Sequence, residues 1–535
     1  MRVRVAWIAW LMLLLCSCGK SHDEDANLSI FKYNESAGIL TLDPIYAKDL
    51  PHIWACNQLY NSLVAFDAKM NVVPMLAKSW EVSDDGLTYV FHLRNDVLFH
   101  ENEAMETPRC VTADDFVYSF NRVVDKSLNS PGMWIFASVK HDEEQYAFTA
   151  VDDTTLRIEL SKPFPPFLGI LSMTYASVVP HEAVDYYGDA FRSHPVGTGP
   201  FAFQFWKENV KLVFRRNPHY FEKDAQGNAL PYLDAVSISF LIDKQIAFLE
   251  FIKGKFDFMS GIDARYKDEL LTYDGKLRQK YEDKIALITE PFLNTEYISF
   301  FIDPADTLGV ERSRALRQAV SLSIDREKML RYLRNGIGTP ATGGIIPVGL
   351  PGHDNGIGYG YDLKKAQRLV DEHGLAGYEL NLSTVADYAD IGKFVQSQVE
   401  AIGLKCKMEV MPGATLRSMR ANGSLSFFRS SWVADYPDAE NYLSLFTTAN
   451  FAPEGPNYTH YSNAKFDALY AQASRCNSME ERAGYYHEMD SLMMQDAPVV
   501  VLFYDQVLRF ANKRVEGLGS NPTNLLELKH VRMVE

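Results

Sequence analysis

Basic residues are in short supply. The chain carries 53 Lys and Arg against 69 Asp and Glu, a formal net charge of −16, which argues against nucleic acid as a partner, because binding phosphate needs a basic surface. Cysteine is scarce as well, six in 535 residues. Cys56, Cys110, Cys406 and Cys476 stand 54, 296 and 70 residues apart, which matches no zinc pattern; an exported compartment would permit disulfides, but the sequence leaves their pairing open. The apolar run Val5–Leu15 is too short to span a bilayer. Catalytic signatures are missing too. Thirteen histidines are scattered with no HExxH, and His100–Glu101 lacks the second histidine. No GxSxG elbow occurs, and no GK[ST] follows the glycines of "HPVGTGPFAF", so that segment is a fixed turn and not a phosphate loop. Gly356, Gly358 and Gly360 lie in a loop with no strand-to-helix turn after them, a weak dinucleotide signal. Ser462 and Lys465 match SxxK, a pattern that chance supplies in a long chain, and Ser462 reads better as a helix N-cap.

What is present is ordinary for a globular chain: 47% hydrophobic and 13% aromatic residues, with 28 Tyr and 32 Phe. The length exceeds what one hydrophobic core serves, so two or three domains are expected. Residues 1–17 read as a secretory leader: Arg2 and Arg4, the apolar run, then "LCSCG". Cys18 has Ser17 before it and Leu15 at −3, as lipoprotein processing requires, whereas Cys16 follows a bulky leucine. Cys18 is therefore expected to carry a lipid anchor, with 18–27 as a polar tether. A plain signal peptide or an anchor helix is the alternative.

Along the mature chain, "EVSDDGLTYVFHLR" reads as a hairpin turning at Asp84–Asp85–Gly86, with Tyr89, Phe91 and Leu93 on one face. "TADDFVYSFNRVVD" opens on Thr112 with Asp115 three residues on, a loose capping box whose helix buries Phe116, Val117, Phe120 and Val124. Leu156, Ile158 and Leu160 alternate in a further strand. Asp325 is placed to cap a helix that Gly336 stops, and another helix closes at Gly374. From about 376 to 433 strands alternate with helices, which suggests α/β layering, and "VVVLFYDQVLRF" near the C-terminus reads as a buried strand.

Four stretches occur together and in order: "VVPMLAKSWEVSDDGLTYVFHLRNDVLFH" with "TADDFVYSFNRV"; "PVGTGPFAF" with "FRRNPHYF"; "RALRQAVSLSIDREKML"; and "SSWVADYPDAENYL". Together they resemble the bacterial extracellular solute-binding proteins of peptide and nickel ABC importers. The resemblance implies a two-lobed α/β periplasmic-binding-protein fold of type II, peptide-binding class, with a hinge and an extra domain inserted in the first lobe. Carried onto this chain, lobe I takes 28–60, 195–290 and 500–535, the inserted domain 61–194 and lobe II 291–499. It also implies a ligand site. Asp435 of the W-x-x-D motif would hold a peptide's α-ammonium, and Trp432 would give it a flat wall. Arg429 would meet the carboxylate of a short peptide. Tyr118 and the stretch Lys48, Asp49, Leu50 would meet peptide backbone, and Tyr504 is a further carry-over. Dipeptide-restricted members use an arginine before the helix at 390–402, and "LSTVADYADIGKF" has none.

Each residue has a plainer reading. Asp435 could cap the helix in "PDAENYL", a job that suits Asp438 better; Trp432 and Tyr118 could be core; Arg429 could pair with an acid. The function implied is a lipid-anchored receptor that captures short peptides, without cofactor or metal, and delivers them as a monomer to an ABC permease and its ATPase subunits. Non-peptide ligands such as a metal chelate, haem, glutathione or a glycan, an exported hydrolase, and a tethered surface module are the alternatives. Nickel is disfavoured, since no histidine lies in the W-x-x-D stretch.

Overall fold

Two long antiparallel strands, Ile285–Phe300 and Val499–Asn512, run through the centre of the computed structural model, which describes residues 28–143, 145–263, 265–303 and 313–534. The leader, Cys18 and the tether lie outside the described residues. The two strands pair from Ile285↔Asn512 to Pro291↔Gln506, slip in register between Pro291 and Thr295, and resume from Thr295↔Tyr504 to Ser299↔Val499. A proline has no N–H to give the ladder, so the break falls where pairing is weakest. Before the break the strands pack with Leu508 and Phe510 against Phe248 and Phe251. Beyond it, Ile298, Phe300, Val500 and Phe503 belong to a different core. The pair is therefore the connection between two lobes, crossing near Pro291 and Asp505.

The strands belong to one eleven-stranded sheet. On the lobe I side Phe258–Ser260, Ile30–Asn34, Ala235–Ser239, Lys211–Arg216 and Phe201–Lys207 follow in order; on the lobe II side come Phe427–Val433, Glu379–Thr384 and Lys405–Val410. Ile30–Asn34 pairs in parallel with Ala235–Ser239, and Glu379–Thr384 in parallel with both its neighbours. Helices Leu50–Leu59, Arg314–Ser323 and Ala389–Glu400 supply crossover layers, the α/β arrangement the alternation predicts. Lobe II buries apolar residues in separate clusters, one around Leu316, Leu382 and Val395, the other around Tyr297, Tyr442, Phe466 and Met489. In lobe I, Trp54 of the helix Leu50–Leu59 packs on Phe258 with ring centroids 5.9 Å apart, and its Nε1–H donates to Asn524 O at 2.8 Å. Gln58 donates to Leu526 O at 2.8 Å, so the last residues close this lobe.

Between the first and second parts of lobe I sits a smaller four-stranded antiparallel sheet, Ala77–Val82, Thr88–Leu93, Thr155–Glu159 and Phe148–Asp152. Its hairpin turns at Gly86, whose φ of +69° suits glycine, and Tyr89, Phe91 and Leu93 face the core. Thr112 and Asp115 form the capping box, and the helix Ala113–Val124 buries Phe116, Phe120, Val123 and Val124. One expected cap is different. Asn463, not Ser462, caps the helix Ala464–Ala473, accepting from Lys465 N and Phe466 N at 3.0 and 3.2 Å. Ser462 instead shares a hydrogen bond with Thr448 Oγ1 at 2.9 Å.

The turn "HPVGTGPFAF" packs against the C-terminal end of the helix Leu50–Leu59. A Cβ on Gly197 would lie 2.1 Å from Leu59 O, so only glycine permits the approach. The four cysteines Cys56, Cys110, Cys406 and Cys476 are free thiols.

Candidate functional site

The strand Phe427–Val433 pairs with Asn294–Phe300 and ends where the chain turns at Ala434–Asp435. Asp438 accepts from Glu440 N at 3.0 Å and so serves the short helix Glu440–Leu443, which leaves Asp435 without a capping role. Asn441 organises the turn. Its Oδ1 accepts from Trp432 Nε1 at 2.7 Å and from Asp435 N at 3.1 Å, and its Nδ2 donates to Asp435 Oδ2 at 3.3 Å. One buried amide thus ties the acid to the tryptophan. Among the described residues no cation lies within ion-pair distance of Asp435. Its side chain still reaches solvent, yet it is surrounded by enough protein that burial raises its carboxyl pKa, with the Asn441 hydrogen bond opposing. The charge stands exposed at the turn, with no counter-ion among the described residues.

Facing it is lobe I. Asp49 caps the helix Leu50–Leu59, accepting from His52 N at 3.4 Å. His52 Nδ1 pairs closely with Asp49 Oδ1, while its Nε2 accepts from Leu40 N at 3.0 Å; those partners specify the tautomer protonated on Nδ1. Lys48 N–H is used by Tyr46 O at 2.9 Å. The stretch Lys48–Leu50 is thus the start of a helix with exposed Lys48 and Asp49 at its tip, not a free strand edge. Tyr175, a residue the sequence did not single out, is buried in the core of lobe I and the inserted domain. It lies over Gly132, where a Cβ would meet the ring at 2.4 Å. Its phenol pKa is pushed up to about 12 by burial, with the charges of Asp435 and Asp49 adding to the rise.

Arg429 is not free for a ligand carboxylate. In a strand, residues three apart point to opposite faces, so Arg429 and Trp432 diverge. Trp432 packs beside the Tyr297–Tyr442 cluster. Arg429 Nη2 donates to both oxygens of Glu296, at 3.1 and 2.9 Å, and its guanidinium lies 3.7 Å over the Tyr388 ring. Glu296 is 3% exposed and also accepts from Tyr388 Oη at 2.9 Å. Burial raises its pKa and Arg429 opposes the rise. Asn294 Nδ2 bridges Glu296 to Asp505 at 3.3 Å to each, and Arg334 pairs with Asp505 at 2.6 Å. This network of two acids and two arginines is internally neutral.

Two further expected residues lie apart from Asp435. Tyr504 is 1% exposed in the lobe II core; it donates to Gly344 O at 2.8 Å and meets His353 edge-on at 5.2 Å. It supports the wall and presents no surface. Tyr118 lies half-buried on the helix Ala113–Val124, edge-on to His181 at 5.9 Å, with Arg122, Asp185 and Asp43 as its charged neighbours. His100 is likewise structural: its ring bonds Gly199 O at 3.0 Å and Gly197 N at 3.3 Å, and burial holds its pKa down at about 4.

Asp115, His181 and Glu182 cluster closely enough to suggest a cation cage, but Arg109 already occupies it. The guanidinium donates to both oxygens of Asp115 and both of Glu182 at 2.6–2.7 Å, and holds the Glu182 pKa down at about 2. A cavity of about 340 Å³ lies elsewhere, where residues 517–530 pass the inserted domain; its walls include Arg509, Glu222 and Asn61 but none of the expected ligand residues. The site chemistry argued above therefore rests on Asp435 and its neighbours. Among the described residues no helix is long and apolar enough to cross a membrane.

The profile of the bacterial extracellular solute-binding proteins, family 5, middle region, matches residues 71–453. Heme-binding protein A of Haemophilus influenzae is 28% identical over 87% of this chain and 85% of its own length. The dipeptide-binding protein of Escherichia coli is 26% identical over 87% of each chain. The glutathione-binding protein GsiB of Pectobacterium atrosepticum is 27% identical over 92% of each. Among solved structures, HbpA2 from Haemophilus parasuis superposes with a TM-score of 0.83 at 26% identity, covering 95% of this chain and 100% of that one. The murein tripeptide-binding protein MppA, unliganded and open, gives a TM-score of 0.80 at 24% identity over 95% and 98%, a likeness of fold. These are type II periplasmic binding proteins.

Proposed function

This chain belongs to family 5 of the bacterial extracellular solute-binding proteins, and we propose that it captures short peptides between its lobes and hands them to an ABC permease and its ATPase subunits. One observation carries the reading: Asp435 is an exposed carboxylate with no counter-ion among the described residues, held in place by Asn441 beside Trp432. A ligand that covers this charge must bring it an opposite partner, and a peptide's α-ammonium brings three N–H donors to one point. Glutathione carries such an ammonium; haem does not, so Asp435 favours the peptide-like ligands among those named for the relatives. With Arg429 already neutralised by Glu296, a ligand's far end is not fixed by that arginine, which supports tolerance of several peptide lengths. The "LCSCG" sequence supports a lipid on Cys18 as the tether, two or more acyl chains being enough for stable membrane attachment.

Native mass spectrometry of the purified chain, and of Asp435→Ala, tests this. A ladder of bound peptide masses that is lost in the variant is expected. A single non-peptide mass would replace peptide with another ligand class, and a chain that neither co-purifies with nor takes up peptides would overturn the proposal. An exported hydrolase would instead turn added peptide over.

A further inference from the structure

The ring of the residue after Asp435 packs outside its own lobe. Tyr436 is 6% exposed, and the apolar cluster it joins is that of lobe I and the inserted domain. Its ring stands edge-on to Phe164 at 6.4 Å and tilted to Trp134 at 6.3 Å; both partners belong to the inserted domain. The other end of the same side chain is fixed from behind. Tyr436 Oη donates to Glu440 Oε2, and Tyr470 Oη donates to Glu440 Oε1, so a 6%-exposed carboxylate clamps the ring in one orientation. A second touch between the same two parts lies close by. The hairpin tip at Gly86 approaches Asn477, with a Cβ on Gly86 only 3.4 Å from Asn477 Oδ1. Neither contact involves the strand crossing near Pro291 and Asp505. Rotation of the lobes about that crossing must therefore make or break them.

We propose that Tyr436 is a positioning residue for ligand capture: clamped by Glu440, its ring seats in the Phe164–Trp134 notch and holds lobe II, with the adjacent Asp435, against the inserted domain. A packed aromatic contact is a two-state element, present or absent, and any ligand that binds the drawn-together arrangement gains from it. The gripping role stands on interlobe contacts alone; its effect on affinity rests on the peptide reading above.

Two measurements separate the parts. Small-angle scattering of the ligand-free chain reads the grip directly. Tyr436→Ala is expected to enlarge the radius of gyration; Tyr436→Phe, which keeps the ring but loses the Glu440 clamp, and Trp134→Ala are each expected to enlarge it less. Trp134 is 40% exposed, so its variant keeps the test alive even where Tyr436→Ala folds poorly. Calorimetry and stopped-flow with the peptide Ala-Ala-Ala read the consequence: in Tyr436→Ala the Kd rises about tenfold, mainly through faster release. Radii unchanged in both Tyr436→Ala and Trp134→Ala would overturn the proposal, as would Tyr436→Phe acting like Tyr436→Ala, which would make the hydroxyl and not the ring the active part. If the parent chain ignores Ala-Ala-Ala while the radii shift as expected, the peptide reading falls and the grip stands.

Discussion

Replacing Asp435 by Asn keeps the side chain's shape and its acceptor for Asn441 Nδ2 while removing one charge. Two opposite effects should follow. Binding loses the pairing between a carboxylate and a ligand ammonium. Breaking one partner of such a pair costs about 2–5 kcal/mol, which corresponds to a Kd weakened about 30- to 4000-fold. Because this carboxylate is exposed before a ligand covers it, the lower end is expected. Folding responds the other way. Burial raises the folded-state pKa of Asp435 above its ordinary value, so its contribution is most favourable below the unfolded-state pKa and declines as pH rises through the folded one. Asp435→Asn removes that decline. Its thermal midpoint should match the parent at acid pH and exceed it at neutral pH, the pattern of a site that trades stability for function. Calorimetric titration with a tripeptide and thermal scans across pH check both limbs. An unchanged Kd would place the amine elsewhere. A midpoint below the parent's at neutral pH would mean that the carboxylate is a structural acceptor, and the desolvation argument would fail.

Asn441→Leu leaves Trp432 Nε1 and Asp435 N without their shared acceptor; a loss of about 2–3 kcal/mol by denaturant titration is expected, with peptide Kd up about tenfold. Arg429→Met strands Glu296, which is 3% exposed, and should cost about 3–5 kcal/mol, whereas Arg429→Met with Glu296→Leu should recover most of it; a double variant no better than the single would show that the pair is not coupled. Asp490, fully buried, accepts from Ile345 N and Ile346 N at 2.9 and 3.3 Å and has its pKa pushed up to about 7 by burial. Its raised pKa makes stability fall as pH climbs from about 4 towards 7, and Asp490→Asn should flatten that slope in denaturant titrations at several pH values.

Local order was legible wherever neighbours in sequence decide it. The Asp84–Gly86 hairpin, the Thr112–Asp115 capping box and the Asp325 cap rest on contacts within a few residues. So does the choice of Asp438 over Asp435 for the helix that follows. The cap at Asn463 was misplaced by one position because Ser462 and Asn463 are both good caps, and only the Thr448 contact separates them. For Arg429 the plainer of its two readings, pairing with an acid, matches the contact with Glu296, and the sequence held a reason: three residues along a strand is the opposite face from Trp432. Tyr504 sits in the run "VVVLFYDQ", which a strand covered on both sides requires to be core. Tyr175 carried no local signal at all, since tertiary packing alone seats it over Gly132 in its core. Asn441 offered a faint one, a lone amide in "AENYLSLF", a stretch whose Ala439, Tyr442, Leu443, Leu445 and Phe446 are buried.

The closing of lobe I by the last part of the chain also sets a timetable. Trp54 and Gln58 find their acceptors on Asn524 and Leu526, some 470 residues later, and Phe258–Ser260 has to wait for Arg509–Ala511. The first lobe to be synthesised is therefore the last able to finish its core. Contacts so distant in sequence make for slow folding, and until the C-terminus is available the early strands keep apolar faces uncovered. Lobe II, whose strands and helices fall mostly in one continuous stretch, can assemble while its elder neighbour is still incomplete.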